Sequence, residues 1–278
     1  MSQATGIHTH PKYKLGAAVG PDTWDKRTVK LENFLDLTTQ VPVSWDFDKG
    51  RKPFPKNLWG NDQYGDCELA ARANYLLRLQ RKQTKTTPGI DDNDVIALYK
   101  QMTGCNSPGD SNDVGLSSLD NFRQWRSGWD ITKNWQIGGE ETRDYHLSAY
   151  GYVDPTNEKL IRLATYLFTG VVLGVNLPIT AQNQIDSGVW DVDPSAGSDA
   201  DPGSWGGHAI YSKRFDANSV YVLTWGMEIR ATNAWINEYA MESYAGIDSF
   251  DTWFKFPHAI DIQALIKEMQ GAGIQVQQ

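Results

Sequence analysis

Apolar residues recur at the spacing of an α-helix in four segments of the first two thirds of the chain. The first predicted helix begins at Cys67, and its apolar positions are Leu69, Ala70, Ala73, Leu76 and Leu77. The other three predicted helices begin near Asp91 and Asp92, at Ser117 or Ser118, and near Asn157. Helices therefore dominate this part of the chain.

The second half of the chain carries strand patterns. The apolar run at 170–178 predicts a buried strand, and residues 208–212 and 220–225 predict a hairpin around a turn at 216–218. Residues 191–206, rich in Asp, Gly, Ser and Pro, predict a loop. Helices followed by strands indicate an α+β fold in which a helical lobe and an antiparallel β lobe face each other across a cleft.

These patterns divide the chain into three parts. Residues 1–40 lack sustained periodicity and are interpreted as an extended arm that docks on its own domain or on a partner. Residues 41–256 form the predicted α+β domain. Residues 257–278 hold a C-terminal helix, stopped by Gly271, and a tail.

The composition narrows the classes of function. A formal net charge of −8 argues against a surface that binds nucleic acid or an anionic membrane. No segment reaches the roughly 18 consecutive apolar residues of a membrane helix, and the first residues lack the apolar core of a signal peptide. We therefore expect a cytoplasmic protein without a transmembrane segment or signal peptide.

Cys67 has the surroundings of a reactive thiol. It follows a Gly–Asp turn at the start of a helix, where unpaired N–H groups and the positive end of the helix dipole favour a thiolate. A nucleophilic thiol also needs a base, and His208 follows two glycines that permit close approach. The two residues stand 141 positions apart, within the range of about 130–150 that is typical of papain-type enzymes.

These residues resemble the papain-like cysteine peptidases. The resemblance begins with VPVSWDFDKG at 41–50, passes through 57–67 to the Cys67 helix, and resumes at GVVLGVNLP, GGHA and TWG. The strings GDC, GGHA and TWG are also similar to uncharacterised papain-like domains of actinobacteria and their phages. The resemblance implies a two-lobed papain-like fold and a thiol protease, a hydrolase of peptide or isopeptide bonds.

The resemblance also implies residue roles. Cys67 matches the nucleophile, and His208 matches the general base and acid. The family's oxyanion-hole glutamine falls on Asn61, which has the same amide on a shorter stem, and Gln63 is a substitute from a different offset. The backbone N–H of Cys67 would be the other oxyanion donor. Trp225 matches the tryptophan that shields the hydrogen bond behind the histidine.

Three features depart from the family. The orienting asparagine is replaced by Leu223, and alternation along a strand predicts that the Thr224 hydroxyl points the opposite way from Leu223. Glu68 stands where a tryptophan usually follows the nucleophile, and its carboxylate could oppose thiolate formation. The residues before the domain are too few for the long helical pro-region of the family's zymogens.

Other chemistry-bearing residues favour structural interpretations. Cys105 lies in a polar loop without a capping helix, and His8 and His10 lie in the arm. The acidic residues at 191–201 lack the spacing of a calcium-binding EF-hand loop, so we expect no metal and no cofactor. Trp190 and Trp205 bracket the loop before His208 and are candidates to line a substrate groove.

Three hypotheses of function follow. The first is a cysteine hydrolase that acts on a protein or peptide substrate through an acyl-enzyme. The second is a pseudoenzyme, a catalytically relaxed papain fold used as a structural or binding module, for example a decoration or accessory protein of a phage particle. Such a module would be an oligomer or a particle component whose termini dock on a protein assembly, and its location would be virion-associated rather than cytoplasmic. The third is acyl transfer of the transglutaminase type, which also uses cysteine and histidine.

Overall fold

Within a computed structural model, residues 13–17, 28–83, 90–127, 147, 149–247 and 260–271 are described. The helices in these ranges are α1 (Cys67–Gln83), α2 (Asp92–Thr103), α3 (Ser118–Ser127), α4 (Glu158–Phe168), α5 (Ile179–Asn183), α6 (Asn233–Tyr239) and α7 (Ile262–Gly271). The strands are β1 (Trp45–Asp46), β2 (Ala149–Tyr152), β3 (Val171–Leu177), β4 (Val189–Trp190), β5 (Gly206–Phe215), β6 (Ser219–Thr224), β7 (Met227–Thr232) and β8 (Ala240–Ile247). Helices α1 to α3 precede strands β2 to β8, as predicted, and α4 to α7 lie between and after those strands.

The strands form one sheet in the order β2-β8-β3-β5-β6-β7-β4, and β1 pairs separately with β5. Every neighbouring pair is antiparallel except β4 with β7. The hairpin predicted around 216–218 joins β5 to β6. The sheet follows a helical section built from α1, α2 and α3, so the architecture is the α+β arrangement expected from the sequence.

Local capping explains where two helices begin. The Asp91 side chain accepts a hydrogen bond from the Asp94 N–H at 3.0 Å, and the Asp94 side chain accepts one from the Asp91 N–H at 3.2 Å. This reciprocal capping box starts α2 where the sequence predicts it. The Asn157 side chain caps α4 by accepting from the Leu160 N–H at 3.1 Å.

Two hydrophobic clusters lie on the two faces of the sheet. The inner cluster is enclosed by the sheet and α4 to α6, and it includes Leu173, Ile210, Val222, Ile229 and Trp235. The helical cluster joins α1, α2 and α3 to the sheet, and it includes Leu76, Leu98, Trp125, Ala209 and Tyr211. Successive residues of β5 enter different clusters because neighbouring side chains of a strand point to opposite faces.

Buried polar contacts fix the central helix α1 against the sheet. The Tyr75 hydroxyl lies 2.8 Å from the carbonyl oxygen of Phe168 and accepts a hydrogen bond from the Gly246 N–H at 3.1 Å. Asp48 forms ion pairs with Arg78 of α1 at 2.6 Å and with Lys213 of β5 at 3.2 Å. These contacts fix the position of α1 relative to the sheet.

Parts of the predicted arm pair with the domain. The Tyr152 N–H donates to the Val29 carbonyl at 2.8 Å, and Leu35 forms an antiparallel bridge with Ile260 near the other end of the chain. Residues 1–12 and 18–27 lie outside the described ranges, as do His8 and His10. None of the helices described has both the length and the apolar character needed to cross a membrane.

Candidate active site

Cys67 is the first residue of α1 and is 1% exposed. The chain turns sharply before it because the Leu69 and Ala70 N–H groups both donate to the Asp66 carbonyl, at 2.8 and 3.0 Å. The thiol packs in the helical cluster, next to the backbone N–H of Ala209. The helix start therefore brings Cys67 to the first residues of β5.

His208 is 0% exposed and lies near the start of β5. Its Nε2 lies 2.6 Å from Oγ1 of Thr224, and its ring stacks on Trp225 with centroids 4.1 Å apart and an interplanar angle of 16°. Its Nδ1 is buried and has no hydrogen-bond partner among the described residues. Nε2 of the imidazole is thus hydrogen-bonded, whereas Nδ1 has no hydrogen bond among the described residues.

Thr224, and not Leu223, contacts the imidazole of His208. The alternation expected along β6 is correct, because Leu223 packs in the helical cluster while Val222 packs in the inner cluster. His208 has the same parity on β5 as Ile210, and its ring stacks on a member of the inner cluster. The Thr224 hydroxyl therefore points away from Leu223, as predicted, and this direction brings it to the imidazole because His208 uses the same face of the sheet.

Trp225 adopts a backbone conformation that supports this stacking. Thr224 pairs with Met227, so Trp225 and Gly226 form a two-residue hairpin turn, with φ values of 45° and 68°. A left-handed conformation costs a non-glycine residue about 1 kcal/mol or more. The indole offsets this cost by stacking on His208 and by donating from Nε1 to the Lys14 carbonyl at 3.0 Å.

Electrostatics keeps both site residues neutral. Burial raises the pKa of the Cys67 thiol well above its usual value, and the carboxyls of Glu68 and Asp66 add to the rise, while the Ala209 N–H opposes it. Burial also lowers the pKa of His208 to about 3. The resulting pair is a protonated thiol and an uncharged imidazole, and Cys67 forms no hydrogen bond with Nδ1 of His208.

Glu68, the residue after Cys67, is buried among polar partners. Its carboxylate accepts from the Ser118 hydroxyl at 2.7 Å and from the Asn121 amide at 3.1 Å. Glu242 of β8 is also buried, and the Glu68 charge raises its pKa further, to about 8. Sequence reasoning missed Glu242 because no local pattern links β8 to α1.

The two candidate side-chain donors to an oxyanion, Asn61 and Gln63, differ in solvent exposure. Asn61 is buried, and its side-chain N–H donates to the Tyr64 carbonyl at 3.1 Å. Gln63 is exposed. The role of each as an oxyanion donor remains a prediction.

Residues 13–17, which we call the strap, cross the site on its β side. The Gly16 and Ala17 N–H groups both lie 3.2 Å from the carbonyl oxygen of Gly207, the residue before His208. Leu15 is buried in the inner cluster. The strap therefore covers the start of β5 with its backbone.

The strap is also bound to the helical side. The Leu116 N–H donates to the Gly16 carbonyl at 2.9 Å, and Ala17 forms a parallel bridge with Leu116. The Lys14 N–H lies 3.4 Å from the Asn61 carbonyl oxygen. The strap thus joins both lobes next to the site residues, and sequence reasoning predicted only that an arm would dock somewhere.

The remaining sequence candidates are a second cysteine and two tryptophans, and both tryptophans pack against Trp225 with ring centroids 6.3 and 5.5 Å away. Cys105 is buried, and its thiol donates to the Ser107 carbonyl at 3.3 Å. Trp190 and Trp205 are buried in the inner cluster, so their proposed place in a substrate groove is wrong, because these large rings fill the β lobe. Among the described residues, no group of three or more His, Cys, Asp or Glu side chains could hold a metal ion.

Solved structures of cysteine proteases match this fold. Xylellain from Xylella fastidiosa has a TM-score of 0.57 and 13% identity, covering 86% of this chain and 98% of its own. Procathepsin B S9 from Trypanosoma congolense has a TM-score of 0.52 and 13% identity, covering 84% of this chain and 85% of its own. The proform of the ragweed pollen protease Amb a 11 has a TM-score of 0.51 and 13% identity, covering 76% of this chain and 67% of its own.

Comparison of the sequence with protein families and with curated proteins identifies no relative of this chain. No protein-family model matches the chain, and no curated protein matches it. The structural likenesses therefore show the fold: two lobes, helices and a mostly antiparallel sheet in the papain-like α+β arrangement.

Proposed function

We propose that this chain, which has the papain-like fold, is a cysteine hydrolase of peptide or isopeptide bonds, seen here with its site closed. The observation that carries the proposal is the setting of His208. Thr224 holds Nε2, Trp225 stacks on the ring, and Nδ1 is buried without a partner. An unpaired buried nitrogen is costly, and such groups are often kept for catalysis, where Nδ1 would accept the proton of a thiol.

Burial explains why the closed pair is neutral. It is the largest cause both of the raised pKa of Cys67 and of the lowered pKa of His208. Entry of water or a substrate between the lobes would reduce both shifts and favour the thiolate and the imidazolium. The helix start and the Ala209 N–H would stabilise the thiolate once it forms.

The proposed reaction uses residues of this chain alone. The Cys67 sulfur attacks the substrate carbonyl carbon, and its proton passes to Nδ1 of His208. The backbone N–H of Cys67 and the Asn61 amide or Gln63 stabilise the oxyanion. His208 then protonates the leaving amine, and water, deprotonated by the same imidazole, hydrolyses the acyl-enzyme and restores the thiol.

Labelling with a thiol-directed, peptide-like inhibitor tests the proposal. We expect slow labelling of the wild type, followed by mass spectrometry, and none in Cys67→Ala. Cys105→Ala is the matched control, because Cys105 is also a buried free thiol but follows α2 and donates to the Ser107 carbonyl, and the variant should label like the wild type. No labelling of the wild type, or equal labelling of Cys67→Ala, would refute the proposal.

A structural or binding module is the second candidate. The missing hydrogen bond between Cys67 and His208 and the carboxyls of Asp66 and Glu68 beside the thiol favour it. A decoration or accessory protein of a phage particle is one such module. A tight oligomer in solution, with no turnover of a broad peptide library, would support this candidate, whereas a monomer that cleaves the library would support the hydrolase.

A further inference from the structure

Three glycines meet where the strap crosses the site. A Cβ atom added to Gly16 would overlap the carbonyl of Gly65, and one added to Gly115 would overlap the carbonyl of Gly16. A Cβ on Gly65 would lie 3.2 Å from the Leu15 carbonyl oxygen. The crossing, which we call the glycine gate, therefore admits a peptide only where that peptide has no side chain.

The residue before the gate has a pocket of its own. Leu15 is 3% exposed and packs in the inner cluster. Its Cδ1 lies 2.9 Å from the place where a Cβ of Gly206 would stand, so Gly206 makes room for the leucine side chain. A branched aliphatic side chain followed by glycine is thus the pattern that this part of the molecule accommodates.

The polar contacts of the strap do not depend on its side chains. Gly207 and Leu116 bind the backbone of Gly16, and Trp225 binds the carbonyl of Lys14. Any extended peptide presents the same N–H and C=O groups. A second peptide could therefore form these contacts in place of the strap if it carried the two side-chain features.

We propose that the cleft beside Cys67 binds extended peptides that contain a leucine–glycine pair, and that the strap is the occupant described here. A substrate of this class would exchange with the strap. Its cleavage rests on the proposed function, but its binding does not. Because the strap is part of the same chain, its effective concentration is high, and a free peptide competes poorly until the strap is weakened.

Binding of a fluorescent peptide Tyr-Lys-Leu-Gly-Ala tests this proposal, with all proteins carrying Cys67→Ala so that no reaction follows. Gly16→Ala would expel the strap, and we expect at least tenfold tighter binding than without that substitution. Gly271→Ala is the matched control, because a Cβ there meets nothing within 4 Å, and it should bind as weakly as the parent. A peptide with alanine in place of its glycine should not bind.

Two outcomes would overturn the proposal. One is equal binding to Gly16→Ala and Gly271→Ala, and the other is equal binding of the two peptides. Leu15→Ala keeps the test decisive if Gly16→Ala misfolds, because it weakens the strap without a clash, and it too should tighten peptide binding. Binding without inhibitor labelling of the Cys67 protein would refute the hydrolase and retain the peptide site.

Discussion

Glu68 and Glu242 place two carboxyl groups inside the molecule, on α1 and β8. Burial raises the pKa of Glu68 to about 7, and burial together with the Glu68 charge raises that of Glu242 to about 8. Ser118 and Asn121 donate to Glu68, whereas Oε1 of Glu242 has no hydrogen-bond partner in the described part of the chain. The folded protein should therefore hold protons here that the unfolded chain releases.

The sign of the effect follows from proton binding. In the unfolded chain both groups titrate near 4.5, so between about pH 4.5 and 8 the folded state binds more protons, and the free energy of unfolding falls as pH rises. Each extra proton bound by the folded state lowers the free energy of unfolding by at most about 1.4 kcal/mol for each unit by which the pH rises. The shift of Glu68 alone corresponds to a total loss of roughly 3 kcal/mol once the pH exceeds 7.

Urea unfolding at pH 5, 6, 7 and 8 measures this slope. Glu242→Gln should remove the part of the slope that comes from Glu242 and become more stable than the wild type at pH 8, while Asp66, whose pKa burial also raises, keeps its own part. Burial of His208 acts in the opposite sense below about pH 6.5, because there the unfolded chain takes up the proton. The difference between wild type and variant removes that contribution.

Glu238→Gln is the control, because Glu238 is an exposed carboxylate on α6 and its loss should leave the slope unchanged. If Glu242→Gln kept the full slope of the wild type, the carboxyl pair would not be the buried acid that the geometry indicates.

Three further changes test the packing and the site. Tyr75→Phe leaves the buried Gly246 N–H without its acceptor and should lower the free energy of unfolding by about 1–3 kcal/mol, and no loss would contradict the bridging role. Asp48→Ala leaves Arg78 buried without its ion-pair partner and should cost about 3–5 kcal/mol in the same assay, against a small effect if the pair were solvated. Thr224→Val should slow inhibitor labelling at least tenfold while Thr224→Ser retains it, and equal rates would show that the hydroxyl does not position the imidazole.

Most of the helices could be predicted because their patterns are local. Helical periodicity and a polar cap lie within a few residues of each other, as Asp91 and Asn157 show. Residues 227–247 carried no prediction, yet they form β7, α6 and β8. Almost every residue of β8 is buried, so the strand lacks the alternation of apolar and polar residues that marks a half-exposed strand.

The candidate site also combines residues that the sequence could predict with contacts that it could not. Cys67 and His208 stand in recognisable local sequences, and the fold brings the start of α1 to the start of β5. The partner of the imidazole could not be read from alternation along β6 alone, since it also depends on which face His208 uses on the neighbouring strand. The strap escaped prediction because its contacts are made by backbone and by missing Cβ atoms, which leave no apolar or charged pattern.

Successive side chains of strand β5 belong to different hydrophobic clusters, with Ile210 in the inner cluster and Tyr211 in the helical cluster. Neither lobe can lose its order without disrupting this strand. We therefore expect heat to unfold the two lobes together, with a calorimetric enthalpy equal to the van't Hoff enthalpy, although a chain of this length often melts in steps. Thermal denaturation would then be a single endotherm, and admission of a ligand would depend on peripheral segments rather than on a hinge between halves.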